Sequence, residues 1–431
     1  MVTDDPTNRL LGSARAALHA APPIGDDAYP RYCRELARGL TAAWPAVVAA
    51  NRQDVARAEE DGLPPTLVDR LRLTDAHLAG LVRLCAQAER ELPHVTRGGE
   101  PVPAGNWGTL RRIPKPLGVV FMIYEARPTV TVDGALLPVV VGNAALLRGG
   151  KEIARTDAAL AEVIGAALTA AGLPRDLVTV VRDPDRRLMK ALLARPDAVD
   201  VLVPRGSPSL IEYCRSASSI PLIASGGGVN HLYVHRSADL ELAAEITLDS
   251  KVPEPAGCTS VELVLVDREV AGEYLTALRR LAGKRGAPFT VRLDPSVPAP
   301  DGPGDPADQD GLWRTQPLQP HDVGREFLDP VIAVLAVDTP DEAVEHIRRH
   351  GSTHTEGVVA RDRTVAERFT RRVDAATIVV NGSLRLHDGP KLGLGAEISI
   401  ATGRLHVRGP VTLGSLVSGT WVVEANGELR G

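Results

Sequence analysis

The chain has 431 residues with 54 acidic and 49 basic side chains, a formal net charge of −5, and 44% hydrophobic against 24% charged residues. That length admits two or three domains with large cores, and the composition is that of a globular protein. The slight acidic balance argues against nucleic-acid binding, and the pairs Arg348-Arg349 and Arg371-Arg372 read as solvated helix faces.

In chain order, residues 7–100 read mainly as helix. Apolar residues recur at helical spacing from Arg31 to Glu59 and from Thr74 to Glu91, with Thr74 placed to cap the second run. The short polar run from Leu110 to Pro116 leads into GVVFMIY (118–124), a buried strand, and AALLR (144–148) is expected to be another, bounded by glycines. Helix is expected from Thr156 to Ala171, strand at LVTVV (177–181), helix at 185–195, strand at VDVLVPRG (199–206), helix from near Ser209 and strand at PLIAS (221–225). This alternation predicts βαβ units in an α/β fold with a largely parallel sheet, where ligands sit beyond the carboxyl ends of strands. No clear GxGxxG follows the first strand, so rhythm alone leaves the cofactor open. A second α/β unit is expected from near Lys251. It takes in a strand within CTSVELVLVD (258–267), a helix from Val270 to Leu281, VIAVLAV (331–337), a helix from Pro340 to His350, GVVA (357–360), a helix over 364–372 and ATIVVN (376–381). Residues 294–312, rich in Pro, Asp and Gly, read as an exposed, mobile loop, and the tail from Arg404 to Gly431 can extend a sheet across a subunit boundary.

The four cysteines, Cys33, Cys85, Cys214 and Cys258, form no CxxC pair, which argues against structural zinc and a disulfide framework. No metal-binding cluster such as HExxH is present. The N-terminal MVTDDPTNRLLG lacks a signal's basic start, and no apolar run is long enough to cross a bilayer; a cytoplasmic protein is expected. Cys258 follows Pro253, Pro255 and Gly257 and precedes an apolar strand, so a tight turn can leave its thiol accessible as an acyl-carbon nucleophile. A buried core thiol is the competing reading, and it is the expected one for the other three cysteines, which lie in helix-like segments. Arg127 in YEARP and Arg205 in PRGS follow strands and can hold phosphate or carboxylate; Arg148, Gly149, Gly150 and Lys151 of LLRGGKE can hold cofactor phosphate. Surface salt bridging explains these arginines equally well from spacing alone. GGG (226–228) is either a plain turn or a ligand-facing one, and His231 and His406 are possible acids for which a structural role is the usual alternative.

The stretches 116–152, 202–211, 326–334, 346–362 and 393–410 together resemble the glutamate-5-semialdehyde dehydrogenase (gamma-glutamyl phosphate reductase) family of the aldehyde dehydrogenase superfamily, over nearly the whole chain. The resemblance implies an aldehyde dehydrogenase-like fold. Residues 1–250 would form a nucleotide-binding domain, with 102–117 contributing to oligomerisation. Residues 251–385 would form a catalytic domain, and 386–431 would return to the cofactor domain and end in an oligomerisation tail. It places the nucleophile on Cys258, the nicotinamide-ribose glutamate on Glu326, the adenosine-side contact at Lys151 and the neighbouring glycines, and substrate or phosphate on Arg127 and Arg205. It implies an NADPH-dependent reduction of an acyl phosphate supplied by a partner kinase, on the way to proline, by a homo-oligomer. ASGGGVN (224–230) lacks the acid with which oxidising members activate water, which favours acyl-phosphate reduction. Thr259 in place of the family's Asn, NGSLRL (381–386) and LGLG (392–395) depart from the family's pattern, and keep open a reductase of another amino-acid acyl phosphate in specialised metabolism. A non-catalytic scaffold that kept the fold is the alternative of another class.

Overall fold

The computed structural model describes residues 5–224, 226–286, 288–297, 312–425 and 427–429. By its contacts the chain forms two units. One runs to Ala224 and takes back 393–399 and the tail from Pro410; the other holds 225–392 and 400–409.

The first unit opens with helices α1 (Pro6–Ala20), α2 (Ala28–Glu60), α3 (Pro65–Leu71) and α4 (Asp75–Thr96), the last capped by Thr74 and His77. A hairpin follows, β1 (Val102–Pro103) and β2 (Gly108–Pro116), and then an α/β run: β3 (Val119–Tyr124), α5 (Thr129–Val140), β4 (Ala144–Arg148), α6 (Ala154–Ala171), β5 (Val178–Val180), α7 (Arg186–Leu193), β6 (Val201–Arg205) and α8 (Pro208–Ala217). The four strands form a parallel sheet in the order β5-β4-β3-β6, with Met122 paired to Leu147 on one side and Val203 on the other. Every residue of β3 is buried, as a strand covered on both faces requires. Helix α5 is the element that periodicity does not show. Ten of its twelve residues are buried, so no polar face marks the helical repeat. Among the described residues of the expected strand, 221–224 form a single bridge, Leu202 to Leu222.

The second unit is a seven-stranded, all-parallel sheet. Its elements are β7 (Asn230–Val234), α9 (Leu240–Lys251), β8 (Val261–Asp267), α10 (Ala271–Arg285), β9 (Phe289–Leu293), β10 (Trp313–Pro317), β11 (Val331–Val337), α11 (Pro340–His350), β12 (Thr355–Val359), α12 (Arg363–Arg372) and β13 (Thr377–Val380), in the sheet order β10-β9-β11-β8-β7-β12-β13. Side-chain alternation splits its core. Leu232, Val234, Val264 and Val266 pack with Tyr274 and Leu278 of α10, whereas Tyr233, Leu263 and Leu265 pack with Val344 of α11 and Phe369 of α12. Because β7 lies between β8 and β12, the chain divides at 224/225 and not at the expected 250/251. Residues 386–392 and 400–409 likewise stay with this unit. Most of the expected loop at 294–312, namely 298–311, lies outside the described residues.

The tail adds a short ladder, β14 (Glu397–Ala401) with β15 (Gly409–Thr412), and ends in β16 (Val417–Ala425). Strand β16 runs antiparallel to β2 within the same chain, Val417 opposite Pro116 through Ala425 opposite Gly108. No helix among the described residues is long and apolar enough to cross a membrane.

Candidate active site

In the first unit the arginine- and glycine-bearing segments all follow strands. Arg127 lies just beyond β3, Arg148 ends β4 with Gly149, Gly150 and Lys151 after it, and Arg205 ends β6. The strand order reverses between β3 and β6, the position where open parallel sheets form a crevice. Two glutamates lace these turns together. Glu152 accepts the Ala126 N–H at 2.8 Å, holding Ala126 at a φ of 45°, and Glu125 accepts the Ser207 N–H at 2.8 Å. Burial pushes the Asp133 carboxyl in α5 up to about 7, against the pull of Arg205 and Arg127.

The turn after β4 sets two glycines, Gly149 and Gly150, between the basic side chains of Arg148 and Lys151. A Cβ on Gly149 would lie 2.2 Å from Asp157 Oδ2, so only glycine fits there. Asp157 itself is held by the Thr131 hydroxyl at 2.5 Å, and burial raises its carboxyl to about 7. The first N–H groups of α6 are already taken: Asp54 accepts those of Arg155 and Thr156 at 3.3 and 2.8 Å. A phosphate would therefore meet the Arg148 and Lys151 side chains and not the helix terminus. Arg148 donates from Nη2 to Pro184 O at 3.2 Å, while its buried Nε has no partner among the described residues; Lys151 is exposed. An orphaned guanidinium donor beside an exposed ammonium fits a phosphate-bearing cofactor.

In the second unit the candidate residues precede strands. Cys258 lies in the turn between α9 and β8 and is the one exposed cysteine of the four; Cys33, Cys85 and Cys214 are buried in helices, and burial raises all three thiols. Gly228 brings Cys258 and Glu326 together. A Cβ on Gly228 would lie 1.9 Å from the Cys258 carbonyl oxygen, and the Gly228 N–H donates to Glu326 Oε1 at 2.8 Å. The turn thus requires glycine for close backbone approach. Glu326 Oε2 makes no hydrogen bond among the described residues.

The aldehyde dehydrogenase family model matches residues 65–292. A gamma-glutamyl phosphate reductase of Chloroflexus aurantiacus is 40% identical over 400 residues, covering 91% of each chain. That of Symbiobacterium thermophilum is 43% identical over 397 residues, covering 92% of this chain and 93% of its own. This chain belongs to the gamma-glutamyl phosphate reductase family of the aldehyde dehydrogenases. The crystal structure of gamma-glutamyl phosphate reductase from Thermotoga maritima matches it with a TM-score of 0.88 at 28% identity, covering 99% of this chain and 100% of that one.

Against that family's pattern, one departure loses its force. Leu384 is fully buried in the second unit's core, with the space a Gly357 side chain would need filled by its Cδ2, so it does not face a ligand. Leu386 and Leu392 are exposed at 45% and 43%. His231 is a core residue, buried beside Glu356 at 3.1 Å, and His406 is exposed in the return segment. Sequence reading missed Glu125 and Glu152, although an acid flanks the arginine or glycine motif in each case. It also missed the buried pair Lys251–Glu262, 2.8 Å apart, in which burial pushes the lysine down and the carboxyl up. A glutamate inside the apolar run VELVLV was the legible signal. Glu262 also accepts the Phe327 N–H at 3.0 Å, fixing the backbone next to Glu326.

Proposed function

We propose that this chain reduces L-glutamyl 5-phosphate to L-glutamate 5-semialdehyde and phosphate with NADPH, through a thioester on Cys258. The observation that carries the reading is the single exposed thiol on a backbone turn packed against Gly228, with Glu326 on the other side of the same glycine. The Cys258 thiolate attacks the acyl carbon, the C–O bond to phosphate breaks, and phosphate leaves with the electron pair. NADPH, when bound, supplies the hydride that takes the thioester to a thiohemiacetal, whose collapse releases aldehyde and returns the thiolate. Arg148, Gly149, Gly150 and Lys151 would hold the cofactor's phosphates, Glu326 the ribose beside the nicotinamide, and Arg127 and Arg205 the substrate's anionic groups. Residues 224–230 carry no acid to activate water, so the thioester is spared hydrolysis.

An acyl phosphate is short-lived in water, and a kinase reaction must supply it. An exposed cysteine outside any disulfide suits the reducing cytoplasm. The sheet β1-β2-β16 exposes Trp107, Trp421, Val102 and Val423 at 46%, 62%, 51% and 58%, which supports pairing with a second copy of the chain. Sedimentation at micromolar concentration is expected to show a dimer or larger; a monomer alone would remove that part of the reading. For the reaction, the purified protein should reduce NADP when given glutamate semialdehyde and phosphate. Semialdehydes of other chain lengths, or with acylated amines, should give lower kcat/KM. No turnover with any of them would refute the enzyme reading, and a clear preference for another semialdehyde would move the substrate while keeping the mechanism.

A further inference from the structure

The turn that carries Cys258 is pinned from below by one side chain. Asn230, at the first position of β7, is fully buried. Its Nδ2 donates to the Cys258 carbonyl at 2.9 Å and to the Ser260 carbonyl at 2.7 Å, and its Oδ1 accepts the Thr355 N–H at 3.1 Å. Both amide protons and the amide oxygen are thus committed, and the one residue ties the starts of β7 and β12 to the turn that leads into β8. Thr355 is in turn anchored: its hydroxyl lies 2.7 Å from His354 Nδ1 and 2.8 Å from His387 Nδ1, with all three residues buried.

A carbonyl held this way fixes more than one atom. The peptide unit is planar and trans, so anchoring the Cys258 C=O sets the whole Cys258–Thr259 plane and turns the Thr259 N–H to the opposite side. That N–H has no acceptor among the described residues. Gly228 presses on the same carbonyl, leaving the plane little room to rotate.

We propose that Asn230 is a positioning residue for Cys258, holding the Cys258–Thr259 peptide so that the thiol faces the acyl carbon and the Thr259 N–H is free to meet the oxygen on which charge develops. This rests on Cys258 being the nucleophile. An amide is the suited side chain, because two carbonyls and one N–H must be met at a single buried point. A carboxylate would face both carbonyls with no proton to give, and a serine has one proton for two carbonyls.

The test uses Asn230→Ser and Asn230→Asp in the full-length protein, with three readouts: thermal melting, steady-state kinetics, and the rate at which iodoacetamide alkylates Cys258, followed by peptide mapping. Both variants should melt cooperatively. Their kcat should fall on the order of 10- to 100-fold, as expected for a misplaced reacting group, with KM within about threefold. Cys258 alkylation should change several-fold in the same variants, while unmodified wild type labels at Cys258 first. Wild-type turnover and alkylation in a folded Asn230→Ser protein would overturn the proposal, and so would loss of fold in both variants, because the residue would then be holding the unit together and not aiming the thiol. Alkylation needs no substrate, so the two readings fail separately. Altered labelling with no turnover by wild type on any semialdehyde would sink the reductase reading alone. Normal labelling with normal turnover would sink the positioning role alone.

Discussion

In the first unit the polar residues of the candidate site follow their strands; in the second they precede them. Arg127, Arg148, Lys151 and Arg205 stand at or just beyond the carboxyl ends of β3, β4 and β6, where loops run into helices. Cys258, Asn230 and Thr355 stand at the amino ends of β8, β7 and β12, where strand starts leave backbone groups that must be bonded. In the proposed roles the first arrangement tolerates adjustment, since long side chains would reach for the ligand. The second is stiff, because a carbonyl, a glycine and a buried amide fix one peptide plane. The difference suits a division of labour: binding depends on charge and reach, bond-making on geometry held within a fraction of an ångström.

The stiff end should break first. Gly228→Ala places a carbon 1.9 Å from the Cys258 carbonyl oxygen, so the turn must shift. Turnover is expected to fall on the order of 100-fold or more, and because the Gly228 N–H also holds Glu326, NADPH binding, followed by cofactor fluorescence, should weaken too, but by less than turnover falls. Turnover within a few-fold of wild type would show that the turn is not stiff. Next in size, Arg148→Ala combined with Lys151→Ala should raise the KM for NADP by about 10- to 100-fold, the scale of lost charge-assisted hydrogen bonds, and leave kcat within a few-fold. A fall in kcat with KM unchanged would reverse the roles given to the two ends.

The smallest effect concerns protons. Two buried rings share the Thr355 hydroxyl, and a hydroxyl has one proton to give, so at least one of His354 and His387 carries its own proton on Nδ1. Burial lowers His354 to about 3 and His387 to about 4, from an ordinary 6.5. Below pH 6.5 the unfolded chain takes up protons that the folded rings refuse, so these groups cost stability as pH falls from 6.5 toward 4. His354→Asn should therefore show a smaller loss of Tm between pH 7 and pH 5 than wild type, by roughly 2–4 °C if about 1 kcal/mol is relieved. An unchanged pH dependence would mean that the ring is not held neutral. In the first unit the sign is opposite. Asp133 and Asp157, raised to about 7, favour the folded state as pH falls from 7 toward the ordinary carboxylate range.

Much of this was legible in the chain itself. Alternating runs located β3, β4, β6, β8, β11 and β13, and Pro253, Pro255 and Gly257 located the turn that exposes Cys258. What stayed hidden has physical causes. Helix α5 is buried on all sides, so no period shows. Strands β9 and β10 flank a Pro-, Asp- and Gly-rich stretch that masks them. Asn230 reads as one more polar residue after GGG, because its value lies in three partners 28, 30 and 125 positions away. Leu384 misled in the other direction: within NGSLRL it counted as a departure from the family's pattern that kept another acyl phosphate open, whereas its side chain fills core space beside Gly357.

The most direct test of the account is Cys258→Ala, assayed with glutamate semialdehyde, phosphate and NADP beside Cys33→Ala, Cys85→Ala and Cys214→Ala. The account predicts that Cys258→Ala binds NADPH, melts like wild type and shows no NADP reduction above background, while the other three keep the chemistry. Turnover by Cys258→Ala at the wild-type rate would contradict the thioester mechanism.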